Sequence, residues 1–336
     1  MTYNIAVAGA GGAVGRTLVR VLEERDFPVS RLVLLATSRT AGTGVDFRGE
    51  KLAIEPVRPE AFVGIDLAFF ATPTEVSRGL VPEAVRQGAV VVDKSSAYRE
   101  DPEVPLVVPE VNPEVLEGHR GVIANPNCST IQLVVALSPL ASLAPLKRVV
   151  VATYQSVSGT GREAVEELRL QTRAVLEGKQ AVPQVYPRPI AFNLLPHIDA
   201  FSADGYTKEE RKLVTETRKI MGRPDLAISA TTVRVPVEVG HSEAVWVETE
   251  RPVEPETYRE ALAQAPGVLV MDDPGRGVYP TPLDAAGRDE VLVGRIRRDP
   301  SVASGLVFWV VADNLRKGAA TNAVQIAEEL LTRGLL

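Results

Sequence analysis

The stretch Asn4-Ile5-Ala6-Val7-Ala8-Gly9-Ala10-Gly11-Gly12-Ala13-Val14-Gly15 carries the reading of the fold. A compact apolar run ends in glycines, and apolar residues then recur at helical spacing at Val14, Leu18, Val21 and Leu22. A strand that turns through glycines into a helix is the context a dinucleotide fingerprint requires. Such a backbone can approach a pyrophosphate, and the helix N-terminus presents the positive end of its dipole. Gly9, Gly11, Gly12, Ala13, Val14 and Gly15 are therefore the candidate cofactor loop. Outward from it, Arg31–Ala36, Asp66–Ala71 and Ala89–Val92 are continuous apolar runs, as expected of parallel strands buried on both faces. Pro82–Gln87 reads as a helix end stopped by Gly88. This β-α-β rhythm predicts an α/β fold with a Rossmann-like, doubly wound parallel sheet.

Beyond about residue 145 the rhythm changes. Arg148–Tyr154, Ala227–Val237, Glu243–Glu250, Glu290–Arg297 and Gly305–Ala312 are β-rich, and several alternate in polarity. That pattern predicts a mostly antiparallel sheet with one wetter face. Helices at about 159–177 and 207–221 are expected to cover the other face, giving an α+β second domain. Ala319–Leu331 carries Ala323, Ile326, Ala327, Leu330 and Leu331 on one side, which predicts a helix returning to the first domain. The proline-rich stretch Val182–Pro196 is a long connection.

A length of 336 residues suggests two domains, and 45% apolar with 24% charged residues excludes disordered, collagen-like and coiled-coil classes. The net charge is −6, with no basic stripe, so no nucleic-acid partner is expected. The single cysteine, Cys128, rules out an intramolecular disulfide and points to a reducing compartment. Met1–Gly9 lacks the basic start of a signal peptide, and no apolar run approaches the roughly eighteen residues of a membrane helix. The expectation is a soluble cytoplasmic protein with no membrane partner.

Cys128 lies in Asn125-Pro126-Asn127-Cys128-Ser129-Thr130, just before the apolar run Ile131–Leu137. A helix beginning there would lower the thiol pKa and favour the thiolate. Of three histidines, His241 lies between two strand candidates, where a turn would present it to a cleft. His119 is expected at the surface, and His197 lies in the long connection. Scattered histidines and one cysteine give no metal-site spacing, so no metal is expected. After the second strand the chain reads Thr37-Ser38-Arg39-Thr40, without the acid that would hold an NAD ribose. The hydroxyls and guanidinium of Ser38, Arg39 and Thr40 suit a 2′-phosphate, so NADP is the expected cofactor.

Together these pieces resemble the aspartate-β-semialdehyde dehydrogenase family over essentially the whole chain. AVAGAGGAVG is similar to that family's cofactor loop, and NPNCST to its nucleophile segment, which makes Cys128 the implied acyl carrier and places Asn127 beside the substrate. TYQSVSGTG resembles the segment whose glutamine, here Gln155, orients the thioester, with Ser158 and Gly159 near the cofactor. RVPVEVGHS resembles the segment whose arginine, Arg234, grips the substrate carboxylate and whose histidine, His241, is the acid–base group. SSAYR implies phosphate binding by Arg99, and GYTKEERK implies Glu209 for the substrate amine and Lys212 for phosphate. ADNLRKGAATNAVQIAE resembles the return helix, with Asn314 near the nicotinamide.

The resemblance implies a nucleotide domain of 1–127 with 315–336, a catalytic and dimerisation domain of 128–314, and a homodimer. The implied reaction reduces L-aspartyl 4-phosphate with NADPH to aspartate semialdehyde and phosphate. Alternatives are N-acetyl-glutamyl-phosphate reductase, whose nucleophile segment usually has glycine before and tyrosine after the cysteine, and glyceraldehyde-phosphate dehydrogenase, whose paired threonines are absent. A non-catalytic NADP-binding regulator is the alternative from another class.

Overall fold

The computed structural model describes residues 1–37 and 42–336. They form two compact units, Met1–Asn127 with Ala319–Leu336, and Cys128–Gly318. In chain order the first unit contains β1 (Tyr3–Ala8), α1 (Ala13–Glu24), β2 (Val29–Ala36), β3 (Gly44–Phe47), β4 (Glu50–Pro56), β5 (Leu67–Phe70), α2 (Thr74–Arg86), β6 (Val90–Asp93) and β7 (Val122–Ala124). The second contains α3 (Cys128–Leu143), β8 (Leu146–Gln155), α4 (Arg162–Leu176), α5 (Lys208–Ile220), β9 (Ala227–Arg234), β10 (His241–Thr249), α6 (Pro255–Gln264), β11 (Val268–Val270), α7 (Pro282–Ala285), β12 (Val291–Arg298) and β13 (Gly305–Ala312). The last helix, α8 (Thr321–Arg333), belongs to the first unit. Among the described residues no helix is long and apolar enough to cross a membrane.

The first sheet has the order β3-β4-β2-β1-β5-β6-β7 and is parallel except for the β3–β4 hairpin. Ile5–Ala8 and Leu67–Phe70 are wholly excluded from water, which is why both read as unbroken apolar runs. From β1 the chain fills one side of the sheet and later the other. The loop after β1 therefore lies where the strand order reverses, the place where open α/β sheets bind nucleotides. Helix α8 lays Ala323, Ile326, Ala327 and Leu330 into the same core as Leu18, Val21 and Leu22 of α1. Each large aliphatic side chain so buried contributes about 1.5–3 kcal/mol, and this stripe holds α8 in the first unit. The Arg25–Glu328 pair closes the contact with bonds of 2.8 and 2.6 Å. The chain rejoins the first unit at Ala319, after a turn that Asp313 keeps. Its carboxylate accepts from the Leu315 and Arg316 N–H groups, and its carbonyl from Gly318.

The second sheet, β11-β12-β13-β10-β8-β9, is mixed. The three pairs from β12 to β8 are antiparallel, while β11–β12 and β8–β9 are parallel. Helix α3 packs on its inner face, and Ser129–Leu137 is buried on every side, as suits a helix inside a core. Helices α5 and α6 lie beside it. On the outer face Trp246, Trp309, Tyr279, Arg295 and Arg297 line a cleft of about 600 Å³.

Helix α4 does not cover the sheet as the sequence suggested. Its Ala164 and Leu168 pack with Val157, Ile190, Ala191 and Leu195 in a separate small core. The proline-rich connection is pinned to it, with Glu167 accepting from Gln184 N–H and the Gln171 carbonyl from Ile190 and Ala191 N–H. Strands β3, β4, β7 and β11 were not anticipated; each is short, and β3–β4 is a charged edge hairpin whose pattern is weak over so few residues.

Candidate active site

The second unit assembles most of the candidate residues through strand register. Gln155 at the end of β8 lies opposite Arg234 at the end of β9, and on the other side Tyr154 lies opposite Ser242 of β10. Arg234, Gln155 and His241 thus close one row across three neighbouring strands, all on the inner face, with exposures of 5%, 1% and 0%. His241 is not in a turn: it is the first residue of β10, paired with Ala312 of β13. Gly240, with φ +97°, makes the turn instead, and a Cβ there would press on Pro282 at 3.0 Å.

Cys128 is the first residue of α3 and is partly exposed. The positive end of the helix dipole there favours a thiolate. Next to it, the Ser129 hydroxyl accepts from Gln155 Nε2 at 2.6 Å. The loop after β13 also closes on the cysteine. A Cβ on Gly318 would lie 3.0 Å from that of Cys128, a constraint the sequence reading missed.

Helix α5 brings charge to the same row. Glu209 accepts from Gln155 Nε2 and from Lys212 Nζ, both at 3.0 Å, and Lys212 also donates to Asp199 at 3.0 Å. A carboxylate only accepts, so the Gln155 amide nitrogen faces Glu209; its Oε1 has no hydrogen-bond partner among the described residues. Burial alone would lower the Lys212 pKa, but the charge of Glu209 and the bonds to both carboxylates raise it. For Asp199 burial opposes, yet the Lys212 bond holds the carboxyl below its ordinary value. Nothing in the sequence pattern marked Asp199. It did hold a missed signal for the helix start, Thr207-Lys208-Glu209-Glu210, a capping box. Glu210 closes that box with Thr207 and reaches the N–H of Thr232 at 3.0 Å, so α5 is tied to β9.

Arg234 Nη1 donates to the Ser156 carbonyl at 2.6 Å, and its backbone pairs both ways with Leu195. Its Nε has no partner among the described residues, and a buried guanidinium with an open donor suits a planar anion. Ser156 N–H donates to His241 Nδ1 at 3.1 Å. Asn314 Oδ1 accepts from Gly240 N–H at 2.9 Å and from Ser156 Oγ at 3.0 Å, and its Nδ2 donates to Ser158 Oγ at 2.9 Å. Gly159 lets Arg234 and His241 meet, because a Cβ there would lie 3.1 Å from Arg234 Nη1 and 3.2 Å from His241 Nε2.

In the first unit, Gly9, Gly11 and Gly12 form the turn after β1, and Ala13, Val14 and Gly15 open α1. A Cβ on Gly9, whose φ is +88°, would collide with the Ala71 carbonyl, and one on Gly15 with the Gly9 carbonyl. At Gly12 the nearest atom is Gly9 O at 3.5 Å. Two glycines are thus demanded by the protein's own packing, while the third keeps open space of the kind a pyrophosphate needs. Gly15→Ala is expected to lower thermal stability, whereas Gly12→Ala should melt like the wild type and bind dinucleotide more weakly. Melting curves and a cofactor titration check both; unchanged binding by Gly12→Ala would remove this loop from the cofactor site.

Arg99 is buried, with Nε on the Asn125 carbonyl at 3.0 Å and Nη2 on that of Lys94 at 2.6 Å. Asn127 is buried at the end of this unit. Ser38, Arg39 and Thr40 lie outside the described residues. His119 is half-buried and bonds to Leu335 O, and His197 stacks on Phe201, so neither joins the row of His241.

One buried acid in the second unit was not singled out. Glu243 follows His241 by two residues, opposite Thr153, and is fully buried. Burial pushes its carboxyl well above the usual range, opposed only by the nearby Gln132 amide, one turn along α3 from Cys128, and neither carboxyl oxygen has a hydrogen-bond partner among the described residues. The native state therefore holds the proton more tightly than the unfolded chain. That stability is fully present below the ordinary carboxylate range and falls by about 1.4 kcal/mol per pH unit until the folded pKa is passed. Glu243→Gln should accordingly gain stability over the wild type between about pH 5 and pH 8. Melting temperatures of both across that range provide the check, and parallel curves would mean that Glu243 folds ionised.

A doubly wound α/β unit is thus joined to a mixed-sheet unit that carries a cysteine at a helix start. Two family models match the chain: "Semialdehyde dehydrogenase, NAD binding domain" over residues 4–119 and "Semialdehyde dehydrogenase, dimerisation domain" over residues 137–317. The aspartate-semialdehyde dehydrogenase of Aquifex aeolicus is 54% identical over 100% of both chains, and that of Bacillus subtilis 49% over 97% of both. The crystal structure of aspartate semialdehyde dehydrogenase II from Vibrio cholerae superposes with a TM-score of 0.97 at 46% identity, covering 99% of each chain; a second structure of that protein is a complex with ASA. A Candida albicans relative, 25% identical with a TM-score of 0.78 over 100% of both chains, was solved with NADP. The chain belongs to the aspartate-semialdehyde dehydrogenase family, oxidoreductases of amino-acid biosynthesis.

Proposed function

We propose that this chain reduces L-aspartyl 4-phosphate reversibly to L-aspartate 4-semialdehyde with NADPH, through a thioester on Cys128, on the route to lysine, threonine, methionine and isoleucine. The observation that carries the reading is Cys128 at the N-terminus of α3, with the Ser129–Gln155–Glu209 chain beside it. The Cys128 thiolate attacks the acyl carbon and expels phosphate, for which Arg99 and Lys212 are the assigned cations and Asn127 a polar neighbour. Arg234 forks onto the α-carboxylate, and Glu209 accepts from the ammonium. Gln155 holds the acyl group near attack geometry, where orientation lowers the barrier most. The nicotinamide, when bound, supplies the hydride that reduces the thioester; Gly9, Gly11, Gly12, Ala13, Val14, Gly15, Ser158, Gly159 and Asn314 are the residues assigned to hold it. His241 serves the carbonyl oxygen.

The preference for NADP rests on Ser38, Arg39 and Thr40 and on the missing acid after the second strand, and the NADP held by the Candida relative supports it. A homodimer is supported by the dimerisation-domain match and by the aromatic outer face around Trp246, Tyr279 and Trp309. The lone cysteine supports a cytoplasmic setting. The deciding experiment supplies aspartate semialdehyde, phosphate and NADP and follows the absorbance of reduced cofactor. Phosphate-dependent turnover is expected, faster with NADP than with NAD. Arg39→Ala should narrow that preference by about tenfold or more, the worth of a charge-assisted hydrogen bond. No turnover would overturn the reaction, and equal use of NAD would overturn the cofactor assignment.

A further inference from the structure

Behind the row of Gln155, Arg234 and His241 lies a second one. Two residues along each strand, on the same inner face, Thr153 of β8 stands between Thr232 of β9 and Glu243 of β10. All three are fully buried, and neither their hydroxyls nor the carboxyl oxygens have a hydrogen-bond partner among the described residues. Gln132 of α3 stands beside Glu243, buried as well, with its Oε1 and Nε2 equally open. An apolar pair here would add stability, whereas buried polar atoms cost it unless they meet. The amide and the carboxyl are matched to each other. A neutral acid has one O–H donor and one carbonyl acceptor, and the amide presents the reciprocal set. A carboxylate would instead turn its second oxygen against the amide oxygen. Burial, which keeps the proton on Glu243, agrees with that match.

The place of the pair gives it a task. Gln132 follows Cys128 by four residues, the spacing that puts two side chains on one helix face, about 6 Å apart along the axis. Glu243 follows His241 by two, on the same face of β10 and about 6.6 Å along it. One partner thus sits a step behind the nucleophile candidate, and the other a step behind the histidine. We propose that Gln132 and Glu243 are positioning residues, an amide and a neutral acid that pair by two hydrogen bonds and set the start of α3, with Cys128, against the head of β10, with His241. This rests on the reading of Cys128 as the acyl carrier and of His241 as its acid–base partner. Two bonds fix distance and direction together, which an apolar contact, free to slide, does not. The proton on Glu243 stays in place, and the pair acts through the two groups it holds.

The test replaces the pair by methionines and compares Gln132→Met, Glu243→Met and both together in the full chain. Each single variant strands one polar partner and should melt below the wild type, while the double strands neither and should regain that stability. Stability and catalysis then separate. In the double variant kcat with aspartate semialdehyde, phosphate and NADP should stay down by about tenfold or more, with KM changed far less, because a small misplacement of reacting groups costs rate. Alkylation of Cys128, the only cysteine in the chain, should slow severalfold at pH 7, since the thiolate is what reacts and a displaced His241 stabilises it less. Glu243→Gln, which can still make both bonds, should restore the kcat and the alkylation rate that Glu243→Met loses. A double variant as active and as reactive as the wild type would overturn the proposal, as would a glutamine variant as poor as the double. If the double variant does not fold, the exchanged pair, Gln132→Glu with Glu243→Gln, is read in its place. It rebuilds the same two bonds, so wild-type rates support the proposal and a folded but slow protein overturns it. The acyl-carrier reading fails on its own measurement, the absence of an acyl adduct on Cys128 of the wild type, whereas melting and alkylation of the variants need no substrate.

Discussion

Cys128→Ala is expected to lose turnover by about 10⁴-fold or more, the scale on which removing a covalent nucleophile acts. Cofactor binding should survive, because the candidate loop at Gly9–Gly15 belongs to the other unit. The fold should survive too: alanine is the best helix former, and residue 128 opens α3 without filling its core. Mass spectrometry of the wild type with the acyl phosphate and no cofactor should show one adduct, carried by the peptide containing Cys128. Appreciable activity in the alanine variant, with aspartate semialdehyde as substrate, would remove the covalent mechanism.

His241→Ala should lower kcat by about a hundredfold or more, the usual scale for losing a general acid–base group. Substrate affinity should change far less, because Arg234 and Glu209 are the groups assigned to hold the substrate's charges. The companion variant separates two roles for the ring. A glutamine at 241 offers an amide N–H but cannot exchange a proton, so His241→Gln should stay about as poor as the alanine variant if proton exchange is what the ring supplies. Steady-state kcat of the three proteins across pH provides the measurement. A glutamine variant that recovers most of the activity would show that donation, rather than proton transfer, is what His241 supplies.

Local features reached the page from sequence because they are local in physics. The β1 run, its glycines and the spacing of α1 depend on residues within one turn or strand of each other, and all appear where the pattern placed them. Helix α5 and strand β13 were legible for the same reason, through period and length. Cys128 stood out because polar residues precede an apolar run, the ordinary look of a helix start. The resemblance to a family added roles for residues such as Arg99 and Glu209 that no periodicity marks.

What only the tertiary structure decided is register and company. Sequence spacing cannot say that Gln155, Arg234 and His241 share one row, because strand pairing joins residues far apart in the chain and a slip of one residue would turn them to the other face. It placed His241 in a turn, whereas Gly240 takes the turn and leaves the histidine at the head of β10. It set α4 on the sheet, while the helix found its apolar partners in the proline-rich connection. The Asp199–Lys212 bond and the Ser156 N–H on His241 arise only when separate segments meet. By itself the sequence determined the nucleotide-binding unit, the nucleophile candidate and the family. The protonation and orientation of the groups around that nucleophile were decided by folding, because a buried donor or acceptor takes its state from whichever partner the fold brings within 3 Å or so.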